Sequence, residues 1–308
     1  MKTLSIDKIK EPVVMTLGSF DGIHLGHKSL LELLVANAKI YNSRSLIISF
    51  EPHPKKVINP GSKVNLLTNF NEKIEIFNNL GIDYFSVLEF NRSIANMSYH
   101  EFYENLIFKQ LDIKHIITGF NHGFGKNRDG NFDHLKSMCS KNNIEITSVG
   151  PRYYKGSNIS STRIRRSILE GSLAEANEML GHTYFLIGKV VLGKGIGKNI
   201  GFPTANIEIL HPDKVIPLSG VYCTETSING KTYSSMTNIG TNPTFGNGQE
   251  NIETYIFDFD DQIYDQNIKV SFISRIRDEK KFDSKDELAE MLKKDREICL
   301  ELSNKKTV

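Results

Sequence analysis

The apolar residues of this chain change their period once, near residues 181–184, and that change limits what the chain can fold into. Before it, short apolar runs alternate with segments of helical period. Residues 13–17, 46–50, 84–88, 115–118 and 144–149 read as strands. Between them, Leu30, Leu31, Leu33, Leu34 and Ala38 make one apolar helical stripe. Ser98 with Glu101 three residues on is a capping box, opening a helix that buries Phe102, Leu106 and Ile107. Strand–helix alternation predicts a parallel, doubly wound α/β sheet, whose ligands sit beyond the carboxyl ends of its strands. After the change, helical signals vanish until residue 284 and the runs 186–192, 221–226, 232–236, 253–259 and 268–273 alternate instead. Asn229-Gly230 marks a hairpin, because a type I′ turn needs positive φ at both central positions. Short antiparallel strands without helices between them suggest a small barrel or sandwich. One last helix, over 284–302, closes the chain. The expected domains are 1–182 and 183–308, and 308 residues suffice for two cores, since a domain commonly holds about 100–200 residues.

The charge balance narrows the partners. Lys and Arg number 38 against 36 Asp and Glu, so the chain has no field to attract nucleic acid or an anionic membrane surface. Affinity for phosphate must come from local groups. Three cysteines, Cys139, Cys223 and Cys299, form no Cys-x-x-Cys pair, which fits a reducing, cytoplasmic setting without disulfides or zinc. The first residues lack the apolar stretch of a signal peptide. No apolar run reaches the roughly 20 residues of a membrane span.

Two segments carry chemistry. Gly18-Ser19-Phe20-Asp21-Gly22-Ile23-His24-Leu25-Gly26-His27 joins the first strand to the first helix. Two imidazoles at a helix start, beside free backbone N–H groups, can hold a triphosphate, and the glycines let the backbone approach it. Ser160, Ser161 and Thr162 open a later helix, and Arg165 follows Thr162 on the same face, a second phosphate-grasping helix start. Each element alone fits an ordinary capped helix equally well; together they favour a nucleotide site. In the second half, Gly193, Gly195, Gly197 and Gly201 surround Lys198 in a loop that can wrap phosphates. No Gly-Lys-Ser/Thr occurs and no helix follows, so this is not a Walker loop. Thr204 and Asn206, two apart on an extended chain, point the same way, and their oxygens suit Mg²⁺. Taken alone, the segment is also a plausible glycine-rich hairpin.

These motifs resemble a known family. Gly-x-Phe-Asp-Gly-x-His-x-Gly-His and Ile-Ser-Ser-Thr-x-x-Arg, the latter over residues 159–165, are similar to the signatures of nucleotidyltransferases. Phe50-Glu51-Pro52-His53-Pro54 and residues 119–130 resemble the FMN adenylyltransferase module of the bacterial bifunctional riboflavin kinase/FAD synthetase. Gly-Phe-Pro-Thr-Ala-Asn at 201–206 resembles the riboflavin kinase signature, followed in order by Gly220-Val221-Tyr222, Asn238-Ile239-Gly240, Glu253 and Ile276-Arg277-x-Glu279-x-x-Phe282. The resemblance implies an N-terminal FMN adenylyltransferase in which Gly18, Phe20, Asp21, His24, His27, Ser161, Thr162 and Arg165 bind ATP. Phe50, Pro52, His53, Asn121 and Phe124 would hold the flavin. It implies a C-terminal riboflavin kinase in which Gly193, Gly195, Gly197, Lys198, Thr204 and Asn206 bind ATP. Thr204 and Asn206 would also bind Mg²⁺, with Glu253 as base. ATP is the co-substrate, and riboflavin, FMN and FAD are substrates and products. His122, Lys198 and Asn242 depart from the family's pattern. Two other readings are a flavin sensor with one inactive site, and an adenylyltransferase for another phosphate such as that of pantetheine. The riboflavin kinase signature argues against the second.

Overall fold

The computed structural model describes residues 1–120, 123–126, 129–193, 197, 201–241 and 250–305. They form two compact units, Met1–Ser161 and Thr162–Val308.

The first unit is built on β1 (Lys2–Thr3), β2 (Val13–Leu17), β3 (Arg44–Glu51), β4 (Tyr84–Glu89), β5 (Ile113–Gly119) and β6 (Glu145–Val149). They form one sheet in the order β1-β4-β3-β2-β5-β6, parallel throughout. The chain leaves central β2 first to one side and later to the other, so the topological switch lies at the carboxyl end of β2. Between the strands run α1 (Leu25–Ile40), α2 (Pro54–Ile58), α3 (Phe70–Asn79), α4 (Arg92–Asn96), α5 (Tyr99–Glu101) and α6 (Phe132–Lys141). One face of the sheet buries Val14, Ile47 and Phe85 against Leu30, Leu31 and Leu34 of α1 and Phe77 of α3. The other buries Met15, Leu46, Ile48 and Tyr84 with Phe102, Tyr103, Leu135 and Met138. The Ser98–Glu101 capping box forms as expected. The helix then widens into π turns over Phe102–Phe108, and the i→i+5 repeat buries Tyr103 beside Phe102 and Ile107, leaving Leu106 only half-buried. A short hairpin, β7 (Tyr153–Tyr154) with β8 (Ser157–Asn158), precedes the unit's end.

The second unit opens within α7 (Ser161–Leu169), followed by α8 (Leu173–Leu180). β9 (Tyr184–Val191), β10 (Thr204–Ile209), β11 (Gly220–Ile228), β12 (Lys231–Thr241), β13 (Glu250–Ile256) and β14 (Asn267–Arg277) close a barrel in the order β10-β13-β12-β11-β14-β9, antiparallel throughout. The β11–β12 hairpin turns at Asn229 and Gly230 with φ of 49° and 80°, both positive as type I′ requires. Alternate positions divide the barrel wall. Thr226, Ser235, Thr224, Thr237 and Thr254 are fully buried and bonded in a chain of hydroxyls at 2.8–2.9 Å. Cys223, Met236 and Phe257 instead pack with Phe202 and with Cys299 of α9 (Lys285–Lys305). Strand β10 was not among the expected runs. α8 packs on β9 and β14, where Asn177 donates to the Phe272 carbonyl at 2.9 Å and accepts from the Tyr184 amide at 2.7 Å. The compact unit therefore begins two helices before the change of hydrophobic period. No described helix is long and apolar enough to cross a membrane.

Candidate active sites

The first site grows from the carboxyl end of β2. The chain there makes a tight turn in which Phe20, Gly22 and Ile23 have φ of 46°, 85° and 42°. Left-handed Phe and Ile are strained, so the surroundings must hold them. Asp21 supplies the brace. It is buried, and its Oδ1 accepts from the Leu67 and Thr68 amides at 2.9 and 3.0 Å. The Gly22 amide donates to Thr68 Oγ1 at 2.9 Å, and Ser161 Oγ donates to the Asp21 carbonyl at 2.8 Å. Thr68 lies outside both motifs, and only its hydroxyl among turn residues hinted at this use.

The turn delivers two histidines to the start of α1. His24 is the N-cap, its Nδ1 accepting from the His27 amide at 3.3 Å. The two rings stack at 3.8 Å, and Phe20 meets His27 edge-on at 5.2 Å. Burial, against the opposing pull of Asp21, lowers the His24 pKa to about 4. Burial, with His24 and Lys73 adding to it, holds His27 well below the usual range. Both imidazoles are therefore neutral at pH 7, and His27 buries an Nδ1 with no partner among the described residues. A neutral ring at a helix start keeps one N–H with which to donate a hydrogen bond to phosphate.

The expected flavin residues divide. Phe50 is half-buried, edge-on to Phe90 at 5.3 Å, and His53 caps α2 by accepting from the Lys55 amide, with Pro52 before it following a cis peptide bond. Phe124 is instead buried in the core 4.6 Å from Tyr103, and its backbone pairs with Gly130. Asn121 and His122 lie outside the described residues. Thr162 is exposed and Arg165 half-buried in α7, within the second unit.

The second site lies on the barrel. Thr204 and Asn206 start β10, and Asn206 pairs across the sheet with Glu253 of β13. Glu253 is held by Asn251 Nδ2 at 2.6 Å on one oxygen and the Thr204 hydroxyl at 3.4 Å on the other. A β carbon on Gly193 would stand 1.9 Å from Asn206 Nδ2, and one on Gly197 would stand 2.2 Å from the Phe202 carbonyl oxygen. Close backbone approach is thus why glycine occupies both positions. Gly195, Lys198 and Asn242 lie outside the described residues. Glu253 and Thr204 open into a cavity of about 320 Å³ lined also by Phe202, Met236, Tyr255, Arg277, Phe282, Leu288 and Leu292. Arg277 is clamped by buried Asp295 of α9 through Nε at 3.1 Å and Nη2 at 2.7 Å. Asn251 was missed from sequence; its signal is the Asn-x-Glu spacing that puts both side chains on one face of β13.

Comparison with known proteins matches both halves. The FAD synthetase family model matches residues 6–163, and the riboflavin kinase model matches residues 180–303. A bifunctional riboflavin kinase/FMN adenylyltransferase of Listeria monocytogenes is 36% identical over 92% of this chain and 90% of its own length. One of Escherichia coli (strain K12) is 33% identical over 93% and 91%. A crystal structure described as a macrolide-efflux protein from Streptococcus pneumoniae is 32% identical and superposes with a TM-score of 0.89, over 96% of this chain and 98% of its own.

Proposed function

The chain belongs to the bifunctional riboflavin kinase/FMN adenylyltransferases, and from that premise we propose how its residues divide the two reactions. The C-terminal riboflavin kinase converts riboflavin to FMN, and the N-terminal FMN adenylyltransferase converts FMN to FAD. The functional division falls at 182/183, a reading supported by the change of hydrophobic period and by the riboflavin kinase match beginning at residue 180. The near-neutral charge and scattered, buried cysteines support a cytoplasmic enzyme of small-molecule substrates.

In the kinase, the ribityl 5′-hydroxyl attacks the γ-phosphorus of ATP, its proton passes to Glu253, and ADP leaves. The observation that carries this is the pair of donors on Glu253: Asn251 and Thr204 hold the carboxylate at the mouth of the cavity, which its apolar lining suits to a flavin ring. Gly193 and Gly197 admit ATP close to the backbone. The Thr204 hydroxyl and the Asn206 amide are oxygen donors of the hard type that fits Mg²⁺ retaining most of its waters. Mg²⁺ bound there would neutralise phosphate charge. Glu253→Gln should lower kcat by about 10²–10³-fold with riboflavin binding kept, since a general base contributes on that order. A kcat within about threefold of the parent removes the base role.

In the adenylyltransferase, an FMN phosphate oxygen attacks the α-phosphorus of ATP and pyrophosphate leaves. The nucleophile is already ionised, so the protein positions the reactants and stabilises charge. His24, His27 and the start of α1 serve the ATP phosphates, supported by their neutral, stacked rings at the helix start. Gly18 and Phe20 shape the approach, with Asp21 bracing the turn from below. Ser161 is tied to that turn, and Thr162 and Arg165 continue its helix. Phe50, Pro52 and His53 border the flavin, and Asn121 contributes to the same site.

A further inference from the structure

One charged side chain in the first unit belongs to neither motif. Lys73, in the first turns of α3, is only 6% exposed. Leu67 and Thr68, whose amides bind Asp21, precede the N-cap Asn69 of α3, and Asp21 acts on Lys73. The charged groups around it come from every neighbouring element. They are Asp21 in the turn, Glu51 at the end of β3 and Glu72 on its own helix, and Lys73 in turn acts on His27 of α1.

Two of those carboxylates also have other work. Asp21 accepts the Leu67 and Thr68 amides, and Glu72 completes the capping box with Asn69. No described residue hydrogen-bonds or ion-pairs with the Lys73 ammonium. A lysine side chain this deeply enclosed, with no hydrogen-bond partner for its ammonium among the described residues, is expensive to keep. It is not the only uncompensated polar group there. Among the described residues, His27 Nδ1 is buried without a partner, as are the hydroxyls of Thr16 on β2 and Ser49 on β3, the latter two residues before Glu51 on the same strand face. Unpaired buried polar groups collected at the carboxyl edge of a parallel sheet mark the place of an anionic ligand.

We infer that Lys73 is a catalytic residue of adenylyl transfer, its ammonium neutralising the FMN phosphate as it meets the α-phosphate of ATP. This role rests on the assignment of the crevice to that reaction. In the step, an FMN phosphate oxygen forms a bond to the α-phosphorus, the bond from that phosphorus to the bridging oxygen breaks, and pyrophosphate leaves with the electron pair. Both reactants are anions, and their repulsion rises as they close. A fixed cation away from water offsets it without reorganising. The charge of Lys73 acts on both sets of groups expected to hold the two: Glu51 belongs to the strand end that carries Phe50 and Pro52, and His27 to the ATP turn.

The test compares Lys73→Met, Lys73→Arg and His27→Ala in the full chain, with FMN plus ATP and separately riboflavin plus ATP. FAD is resolved by chromatography and each variant is melted thermally. Lys73→Met should lower kcat for FAD about 10²–10³-fold, the usual loss for one charge-stabilising group. Its melting temperature should hold or rise, because an apolar side chain of similar length relieves a buried charge. A residue that merely holds the fold would lower both. Lys73→Arg should recover part of the rate, and riboflavin phosphorylation should stay at the parent level in all three. If Lys73→Met makes FAD within about threefold of the parent while His27→Ala does not, the role of Lys73 falls and the site stands. If both make FAD normally, the assignment of the crevice falls with it. Should Lys73→Met unfold, a folded Lys73→Arg no faster than His27→Ala would overturn the role.

Discussion

At the scale of single residues, the two sites use opposite devices. The first relies on buried neutral imidazoles at a helix start, the second on a carboxylate held by two donors. His27→Ala should stop FAD formation by about 10²–10³-fold, as loss of one donor to developing charge does, so that FMN accumulates in a time course from riboflavin. Equal loss of both activities would show that the change has unfolded the chain. The buried histidines also set a dependence of stability on pH. The His24 pKa falls from 6.5 to about 4 on folding. Between those values the unfolded chain binds a proton that the folded one does not, so stability is full above about pH 6.5 and declines as pH drops toward 4. Denaturant titrations at pH 7 and pH 5 should show this decline. His24→Asn, which keeps a capping side chain, should make it shallower. An unchanged slope would mean that His24 is not the group responsible.

At the scale of elements, position follows from what each strand or helix is packed against. The turn after β2 holds two non-glycine residues at positive φ because Asp21 and Thr68 tie it down across 46 and 47 residues of chain. In the barrel, β10 aligns Thr204 and Asn206 with Glu253 only because it pairs with β13. Gly193 lies against Asn206, and Gly193→Ala tests that contact. Its β carbon would collide with Asn206 Nδ2, 1.9 Å away, and force the amide aside. A displacement of about 1 Å can cost on the order of 10²-fold in rate. Riboflavin phosphorylation should fall by that order, while FAD formation from supplied FMN continues. A kinase rate within about threefold of the parent would mean that Asn206 accommodates the methyl group or has no part in the reaction.

At the scale of the whole molecule, the contacts and the hydrophobic period draw different boundaries. α8 buries Leu173, Ala176, Met179 and Leu180, each at most 1% exposed, and packs on β9 and β14. A fragment of residues 162–308 should therefore melt higher than one of residues 183–308. Burying each large apolar side chain is worth about 1.5–3 kcal/mol, so the difference should reach roughly 10 °C. Equal melting temperatures would place the stable boundary at the change of period instead. What the sequence determined by itself is whatever depends on neighbours along the chain: the five longer parallel strands, the Asn229-Gly230 turn, the Ser98 capping box and the order of the motifs. Each is written in a period, a cap or a turn dipeptide, and local backbone physics suffices to read it. The tertiary structure decided the rest. It turned Asp21 inward as a brace, sank Phe124 into the core and widened the helix after Glu101 to bury Tyr103. It set Asn251 and Thr204 on Glu253, joined α8 to the barrel and left Lys73 enclosed among Asp21, Glu51 and Glu72 beside His27. These outcomes depend on packing and hydrogen bonds between residues distant in the chain, and no local period encodes them.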